Sequence, residues 1–435
     1  MEKLKYFGTD GIRGVFSKEI NTLLALKCGN ALASLKPGAR IAIARDTRPS
    51  GSPLLNAFVE GAEDASAEVV DCGILPTAAI SHIVLKKKFD FGVVISASHN
   101  PHEYNGIKIF GSNGQKLSDE LELEIERTID GYNYVGDGRT RGAKNAVAFY
   151  EKHLLKATDV NLNGVRIAID CANGAAGVVA PDVFRKLGAK VETIAMHGKI
   201  NDGCGSTCID AILSHTRRSN ADIGFAYDGD ADRLVTVLKD GTVVDGDKVL
   251  YMLMLYYKKH NMLKGGSVVG TLQTNMAVER EIKREGIEFL RTDVGDRYVI
   301  EKMQEVGANL GAEQSGHIII GDHLPTGDGI LASMCISEIF VKDREIFERA
   351  ARLPLCPQIN KNYTVMDRER VLIDPAFIKI KERCEKEIAG VGRVFARASG
   401  TEPKVRVTVE CEDKALAARI SSEFGKFMEG REPIA

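Results

Sequence analysis

The chain repeats one α/β pattern three times, and this repetition constrains its fold more than any other feature. In each unit two strands, with a helix between them, are followed by a third strand that ends in a polar loop. The first strands are predicted at Arg40–Ala44, Val165–Ile169 and Ser267–Thr271. Strands that alternate with helices in this way indicate α/β domains with largely parallel sheets. At about 150 residues per domain, 435 residues leave room for three such domains or slightly more.

Each third strand leads into a chemically different loop. The strand Gly92–Ile95 leads into Ser96–Pro101, Asp222–Tyr227 into Asp228–Arg233, and Asn309–Ala312 into Glu313–His317. Open α/β sheets bind their ligands at the carboxyl ends of the strands. If the three units pack around a common axis, the three loops converge on one cleft. The turn sequences Asn113-Gly114 and Asp240-Gly241 predict a hairpin after each of the first two loops.

The last part of the chain has a different pattern. A helix is predicted over Val371–Cys384, strands over Gly392–Arg397 and Val405–Glu410, and a closing helix over Asp413–Phe427. The polar segment Pro357–Asn362 is expected to attach this part to the rest. The predicted fold is therefore three similar α/β domains with mixed sheets and a smaller C-terminal α+β domain around a central cleft. The predicted domain boundaries are 1–152, 153–252, 253–362 and 363–435.

Composition excludes several classes of partner. The 58 basic and 60 acidic residues nearly cancel, giving a net charge of −2, which argues against a general nucleic-acid or membrane surface. Met1–Asp10 has no apolar core typical of a signal peptide, and Val249–Tyr257 is too short to span a bilayer. The chain has nine scattered cysteines, and we expect most of them to be small buried side chains in a reducing compartment. We expect a soluble, cytoplasmic protein with no nucleic-acid or membrane partner.

Three aspartates spaced by two residues indicate a cation site. Asp228, Asp230 and Asp232 directly follow a predicted buried strand, and hard carboxylate oxygens suit Mg²⁺. A calcium-binding EF-hand loop does not fit, because Arg233 stands where glycine is required and Lys239 where glutamate is required. A solvated acidic turn remains the alternative.

Ser98 is a candidate nucleophile or phosphate carrier, because its hydroxyl follows a buried strand and stands beside a histidine. A simple Ser/Asn/Pro turn is the alternative. A phosphate on Ser98 would offer oxygens to Mg²⁺, with Arg233 stabilising the developing charge. Lys108 is either a proton shuttle, a phosphate clamp or an exposed strand lysine. No nucleotide-binding motif occurs, which favours a carrier serine over ATP as the phosphoryl donor. We expect Ser98→Ala to abolish turnover and Ser96→Ala to leave much of it.

Three further segments offer anion or sugar contacts. The glycine-rich opening Tyr6–Gly14 carries one arginine that can fork onto a phosphate, the segment 397–403 resembles an anion cradle, and 313–317 carries groups suited to sugar hydroxyls. Capped turns, and for His317 a satisfied core histidine, are the alternatives. The candidate residues are Arg13, Glu313, Ser315, His317, Arg397, Ser399, Gly400 and Thr401.

The order of five motifs resembles that of the α-D-phosphohexomutases over the whole chain. They are Phe-Gly-Thr-Asp-Gly-Ile-Arg-Gly, Ser-Ala-Ser-His-Asn-Pro, Asp-Gly-Asp-Ala-Asp-Arg, Glu-x-Ser-Gly-His and Arg-x-Ser-Gly-Thr-Glu-Pro. Residues 7–14 and Val294–Val299 are similar to the branch that acts on glucosamine phosphate. Residues 271–275 and Cys208 depart from that branch, away from the phosphoryl-transfer motifs.

The resemblance implies a phosphoserine at Ser98, and Mg²⁺ held by that phosphate and the three aspartates. It implies sugar contacts from Glu313 and Ser315. It also implies a distal phosphate site at Arg397, Ser399, Gly400, Thr401 and Arg406. The residues that match further active-site positions of the family are Arg13, His99, Lys108 and His317. The implied reaction interconverts glucosamine 6-phosphate and glucosamine 1-phosphate through a bisphosphate. A mannose or glucose phosphate mutase, a phosphatase and a catalytically silent sugar-phosphate binder are the alternatives. A homodimer is left open.

Overall fold

The computed structural model describes residues 4–132, 136, 138–399 and 403–429. They form two compact units. One comprises residues up to 271 together with 290–352, and the other comprises 272–289 together with residues from 353 onward. Among the described residues, no helix has both the length and the apolar character needed to cross a membrane.

The first sheet has seven strands in the order β1-β2-β6-β5-β3-β4-β7. Its strands are β1 (Phe7–Gly8), β2 (Gly11–Val15), β3 (Arg40–Arg45), β4 (Glu68–Ile74), β5 (Phe91–Ile95), β6 (Tyr104–Gly111) and β7 (Arg139–Gly142). The helices of this region are α1 (Thr22–Ser34), α2 (Gly51–Asp64), α3 (Thr77–Lys87), α4 (Asp119–Ile129) and α5 (Ala146–Lys156). Strand β3 pairs in parallel with β4 and β5, and β6 returns antiparallel to β5.

The second sheet has five strands in the order β12-β11-β10-β8-β9. They are β8 (Arg166–Asp170), β9 (Lys190–Ile194), β10 (Ile223–Tyr227), β11 (Leu234–Leu238) and β12 (Val243–Val244). The helices in this part of the sequence are α6 (Ala180–Lys186), α7 (Asp210–Arg218) and α8 (Gly246–Lys259). Every residue of β10 and β11 is buried, as expected for central strands covered on both faces.

The third sheet has four strands in the order β14-β13-β15-β16. They are β13 (Ser267–Thr271), β14 (Glu288–Thr292), β15 (Leu310–Ala312) and β16 (Ile318–Ile320). The helices in this part of the sequence are α9 (Met276–Arg284), α10 (Asp296–Val306), α11 (Gly329–Lys342) and α12 (Arg344–Ala351).

The three sheets share one topology. In each, the neighbouring strands are the fourth, third, first and second of the repeat: β6-β5-β3-β4, β11-β10-β8-β9 and β16-β15-β13-β14. The third strand ends in the predicted functional loop, and the fourth returns antiparallel beside it. The prediction of three similar α/β units with mixed sheets is therefore confirmed.

The C-terminal part has a three-stranded antiparallel sheet in the order β17-β19-β18. Its elements are β17 (Gln358–Thr364), α13 (Arg368–Leu372), α14 (Pro375–Glu387), β18 (Gly392–Ala398), β19 (Lys404–Cys411) and α15 (Lys414–Met428). The helices and sheet enclose their own apolar core, which includes Phe377 and Phe424. This agrees with the predicted smaller α+β domain.

Two local predictions in this part were wrong. The segment predicted as a polar connection contains strand β17, which pairs with β19 from Gln358 to Thr364. It occupies an edge of the sheet, so backbone hydrogen bonds hold it without an apolar run in its sequence. The single helix predicted over 371–384 is two helices, because Asp374 caps the second and Pro375 opens it.

Two stacked histidines in the compact unit that contains residues up to 271 predict a pH dependence of stability. His82 on α3 and His153 on α5 stack with ring centroids 4.0 Å apart. Burial, then the neighbouring His153 and Lys86, lowers the pKa of His82 to about 3. Burial, then His323 and Lys86, lowers the pKa of His153 to about 4. Folding therefore favours both neutral imidazoles.

Because both pKa values fall below that of an unfolded histidine, the stabilisation is present at pH 7 and is lost progressively as pH falls from about 6.5 towards the folded-state values of about 4 and about 3. The free energy of unfolding should drop by about 2 kcal/mol between pH 7 and pH 5, with less from His153, which is only half-buried. The double variant His82→Phe, His153→Phe should show a shallower dependence of its urea midpoint on pH. The exposed His197→Gln should leave the slope as in the wild type. Equal slopes in all three proteins would contradict this assignment.

Candidate active site

Ser98 lies in a buried loop at the carboxyl end of β5. Its backbone has a φ of 49°, in the left-handed region, which costs a non-glycine residue about 1–2 kcal/mol. The Ser98 hydroxyl lies 2.5 Å from Asp228 Oδ2 and 3.5 Å from Asp232 Oδ1. The structure thus brings together the serine and two of the aspartates that the sequence singled out, although 130 residues separate Ser98 from Asp228 along the chain.

The three aspartates follow β10 in a tight loop that turns their side chains to one side. Their ligating oxygens all lie within 4.8 Å of one another, and all three residues are buried. Gly229 allows this loop to approach the serine loop, because a Cβ there would lie 2.7 Å from the Ser98 carbonyl oxygen. The loop is also anchored to α3, where the Thr77 hydroxyl donates to Asp230 Oδ2 at 2.6 Å.

This acidic group fits a divalent cation. Hard carboxylate oxygens are the ligands that Mg²⁺ takes in proteins. Asp230 Oδ1 is buried without a hydrogen-bond partner in the described part of the chain, so its lone pairs are available to coordinate a cation. Burial, then Asp232 and Asp230, raises the pKa of Asp228 well above its usual value, as expected where negative charges lack full compensation. Within the described residues, no other cluster of this type occurs.

Lys108, on β6, provides part of that compensation. Its ammonium group lies 2.7 Å from Asp230 Oδ2 and 2.8 Å from Asp232 Oδ2, and its side chain is 1% exposed. Burial alone would raise the pKa of Asp232, but Lys108 first and then His317 and Arg233 outweigh it and hold that pKa well below its usual value. The interpretation of Lys108 as an exposed strand lysine is therefore excluded.

A chain of alternating charges extends from Lys108 to His317. Lys108 lies 3.5 Å from Asp10, which lies 2.5 Å from Lys116 Nζ, and Lys116 lies 2.6 Å from Asp296. Asp296 is 3.4 Å from His317 Nε2, and His317 Nδ1 is 3.9 Å from Asp232. The chain therefore closes on the acidic loop. Alternating signs let the protein hold several buried charges close together.

Sequence reasoning missed Lys116 and Asp296 as parts of this network. Lys116 lies in a loop between β6 and α4, and Asp296 begins α10. Neither stands in a pattern that indicates chemistry, because each depends on a partner that is distant in the sequence. The Val294–Val299 segment was noted only for its resemblance.

Arg13 lies on strand β2, within the glycine-rich opening of the chain, and not in a turn. The sequence Gly-Ile-Arg-Gly-Val alternates buried and half-buried residues and pairs with β6, so cross-strand bonding prevails over the flexibility of its glycines. The Arg13 guanidinium is paired with Asp10 and lies 3.5 Å from Asn100 Oδ1. The strand thus holds Arg13 beside the serine loop.

Arg233 and His99 flank the same loops. The Arg233 backbone N–H donates to Asp228 Oδ1 at 3.1 Å, and its Nε is buried without a partner among the described residues. His99 Nδ1 lies 3.4 Å from the Ser98 hydroxyl. Burial, then Arg233 and Arg13, lowers the pKa of His99 to about 2, so the imidazole is neutral at pH 7.

The loop after β15 carries the predicted sugar contacts. Glu313 is 9% exposed, and its carboxylate accepts from the Gly295 N–H at 3.0 Å. Ser315 is exposed at the tip of the loop. His317 pairs with Arg233 through an isolated antiparallel bridge, which connects this loop to the acidic loop.

The remaining predicted residues belong to the second compact unit. Arg397 on β18 stands directly opposite Arg406 on β19. Ser399 is 2% exposed, and its carbonyl oxygen accepts from Arg368, which sequence reasoning did not identify. The predicted residues Gly400 and Thr401 lie outside the described residues.

Four family models match the chain in sequence order. They describe the phosphoglucomutase/phosphomannomutase α/β/α domains I, II and III and the C-terminal domain. They match residues 4–135, 148–241, 245–354 and 361–426.

Curated proteins named phosphoglucosamine mutase match nearly the whole chain. The protein from Carboxydothermus hydrogenoformans is 40% identical over 435 residues, covering 97% of this chain and 98% of that protein. The protein from Bacillus subtilis is 39% identical over 432 residues, covering 95% of each chain.

Solved structures share the fold at lower identity. A phosphoglucomutase/phosphomannomutase family protein from Burkholderia thailandensis has a TM-score of 0.82 at 24% identity, covering 100% of this chain and 99% of that one. An N-acetylglucosamine-phosphate mutase has a TM-score of 0.67 at 15% identity, covering 97% and 96%. Together with the full-length matches to curated proteins, these findings show that the chain belongs to the α-D-phosphohexomutase superfamily, in the group of the phosphoglucosamine mutases.

Proposed function

We propose that this enzyme interconverts glucosamine 6-phosphate and glucosamine 1-phosphate, using Ser98 as the phosphoryl carrier. The observation that carries the proposal is the buried Ser98 hydroxyl, 2.5 Å from a carboxylate of a three-aspartate loop. A serine beside a cation site, in a chain without a nucleotide-binding motif, suits storage of a phosphoryl group on the protein itself.

Asp228, Asp230 and Asp232 would hold Mg²⁺ together with an oxygen of the phosphorylated serine. When bound, the cation would neutralise charge on the phosphoryl oxygens. Lys108 is placed to act on the same charge, since its ammonium lies within 2.8 Å of two of these carboxylates. Burial would lower the pKa of Lys108, but Asp230 and Asp232 outweigh it and raise that pKa. A lysine that stays protonated is a phosphate clamp rather than a proton shuttle.

The reaction consists of two phosphoryl transfers, and each transfer forms one bond to phosphorus and breaks another. In the first, the free sugar hydroxyl forms a bond to phosphorus, the bond from Ser98 Oγ to phosphorus breaks, and the product is a sugar bisphosphate. After this intermediate reorients, Ser98 Oγ forms a bond to the phosphorus of its other phosphate, and the bond from that phosphorus to the sugar oxygen breaks. The sugar then leaves with the phosphate that it gained in the first transfer. Each transfer moves one proton from the attacking hydroxyl to the leaving oxygen, so none is consumed overall.

Neutral His99 is our candidate for proton exchange at Ser98 Oγ, because its Nδ1 is 3.4 Å away. Arg13 and Arg233 would stabilise charge on the transferring group. His317 is held between Asp232 and Asp296, which orients its ring towards the acidic loop.

The other end of the substrate needs its own contacts. We assign the sugar hydroxyls to Glu313 and Ser315, and the non-reacting phosphate to the segment around Arg397 and Arg406, with Ser399, Gly400 and Thr401. Arg397 and Arg406 are register partners on neighbouring strands, and arginine side chains bind phosphate through paired hydrogen bonds.

A cytoplasmic location is supported by the nine cysteines, all of which are free thiols. The absence of nucleic-acid partners remains a prediction. The formation of a homodimer is also a prediction.

Phosphorus NMR with glucosamine, glucose and mannose 6-phosphates and Mg²⁺ tests the proposal. We expect a 1-phosphate resonance to appear fastest with glucosamine 6-phosphate. Faster conversion of the glucose or mannose compound would favour the alternative mutases. Inorganic phosphate would indicate a phosphatase, and unchanged spectra a binding protein.

A further inference from the structure

We propose that Arg48 and Asn201 are positioning residues that hold the carbonyl oxygens of the Ser98 loop, and so fix the direction of the carrier hydroxyl. The inference rests on the proposed function and adds to it two residues from two different α/β units. Neither residue lies in the motifs from which the active site was predicted.

Arg48 is buried beneath the serine loop. It is 1% exposed, and its guanidinium pairs with the equally buried Asp46 at 2.9 Å. Its Nη2 donates to the carbonyl oxygens of Ser98 at 2.9 Å and Asn100 at 2.8 Å. Its Nη1 donates to two further carbonyls, those of Pro101 and Tyr104. One side chain therefore connects four backbone oxygens of the loop.

Asn201 contacts the same two carbonyls from the second α/β unit. Its Nδ2 lies 2.8 Å from the Ser98 oxygen and 3.0 Å from the Asn100 oxygen. Each carbonyl accepts two hydrogen bonds, so both lone pairs are used. We call Arg48 and Asn201 the carbonyl clamp.

The clamp has a direct consequence for the hydroxyl. Ser98 has a left-handed backbone conformation that a serine does not adopt readily, so the surrounding contacts must enforce it. Rotation of that backbone would move Oγ away from Asp228, and phosphoryl transfer requires the attacking and leaving oxygens to be in line. Because Arg48 and Asn201 donate to these carbonyl oxygens, the negative ends of the carbonyl dipoles stay directed away from a phosphate on Ser98.

Asn201→Gly gives the cleanest test, because Asn201 has a φ of 59° that glycine adopts without strain. The exposed Asn261, with a φ of 56°, provides the matched control Asn261→Gly. We expect Asn201→Gly to lower kcat about 10-fold, with KM for the hexosamine phosphate within about 2-fold and the melting temperature nearly unchanged. Asn261→Gly should match the wild type in all three.

Hydrogen exchange gives a readout independent of turnover. Amides of residues 96–104 should exchange faster in Asn201→Gly than in the wild type or Asn261→Gly, with the rest of the chain unchanged. Arg48→Lys, which keeps the charge beside Asp46 but loses the fork, should lower kcat at least about 10-fold. Arg45→Lys, on the same segment, is its control.

Unchanged kcat in Asn201→Gly, or unchanged exchange over residues 96–104, would overturn the clamp while leaving the proposed function intact. A loss of thermal stability in Arg48→Lys without loss of kcat would likewise reduce Arg48 to a structural residue. An inactive wild-type enzyme would instead refute the proposed function. In that case faster exchange in Asn201→Gly would still support the clamp as a holder of the loop.

Discussion

Ser98→Ala is expected to lower kcat at least about 1000-fold and to abolish phosphorylation of the protein. The variant lacks the oxygen that lies 2.5 Å from Asp228 and would carry the phosphoryl group. Removal of a covalent nucleophile leaves only binding and charge stabilisation, which cannot replace the intermediate. The measurement is steady-state turnover together with mass spectrometry of the peptide that contains residue 98.

Three other hydroxyls serve as comparisons. The Ser96 hydroxyl donates to Asp46 at 2.7 Å and accepts from the Ser98 N–H at 2.9 Å, so it supports the loop without facing the aspartates. We therefore expect Ser96→Ala to retain measurable turnover, whereas the exposed Ser112→Ala should match the wild type. Thr77 also has a hydroxyl near the aspartates, and Thr77→Val should remain phosphorylated at Ser98. Equal losses in Ser98→Ala and Ser96→Ala would leave the carrier assignment unsupported.

Removal of the divalent cation should lower turnover at least about 1000-fold, and Asp230→Asn at least about 100-fold. Three buried carboxylates repel one another, and Lys108 neutralises only part of their charge. The amide introduced by this substitution would supply a weaker, neutral ligand at a carboxylate that keeps an unpaired buried oxygen among the described residues.

The measurement is turnover after chelation and after addition of Mg²⁺. A second readout is the melting temperature, which Mg²⁺ should raise in the wild type and less in Asp230→Asn. Asp240→Asn, in a surface turn, is the control and should respond to Mg²⁺ as the wild type does. Full activity in the presence of the chelator would contradict the assignment of the aspartates as metal ligands.

The fold was accessible from the sequence because its signal is local and repeated. A buried strand such as β10 is an apolar run, and the polar residues that follow it indicate where the strand ends. Strand β17 was missed because it lies at a sheet edge and has few apolar residues, so only its pairing with β19 defines it. The strand that carries Arg13 was missed for a similar reason, since its glycines indicate a turn when its partner is unknown.

The residues of the candidate site also fall into two groups, those that a local sequence pattern identifies and those that only tertiary contacts identify. Asp228, Asp230 and Asp232 are spaced closely enough to be recognised together, and their proximity to Ser98 follows from the repeat. Lys116 and Arg48 could not be identified, because their roles exist only through partners on other elements. Local patterns therefore identify the reacting groups, whereas the residues that position them emerge only from tertiary contacts.

Transfer of a labelled phosphoryl group tests the role of Ser98 in a single experiment. Enzyme carrying a ³²P-phosphoryl group on Ser98 is mixed with stoichiometric glucosamine 6-phosphate and Mg²⁺, and the products are separated. We predict that the label leaves the protein and appears first in a hexosamine bisphosphate, then in the 1-phosphate. Label that remains on the protein during turnover, or that leaves only as inorganic phosphate, would contradict the account.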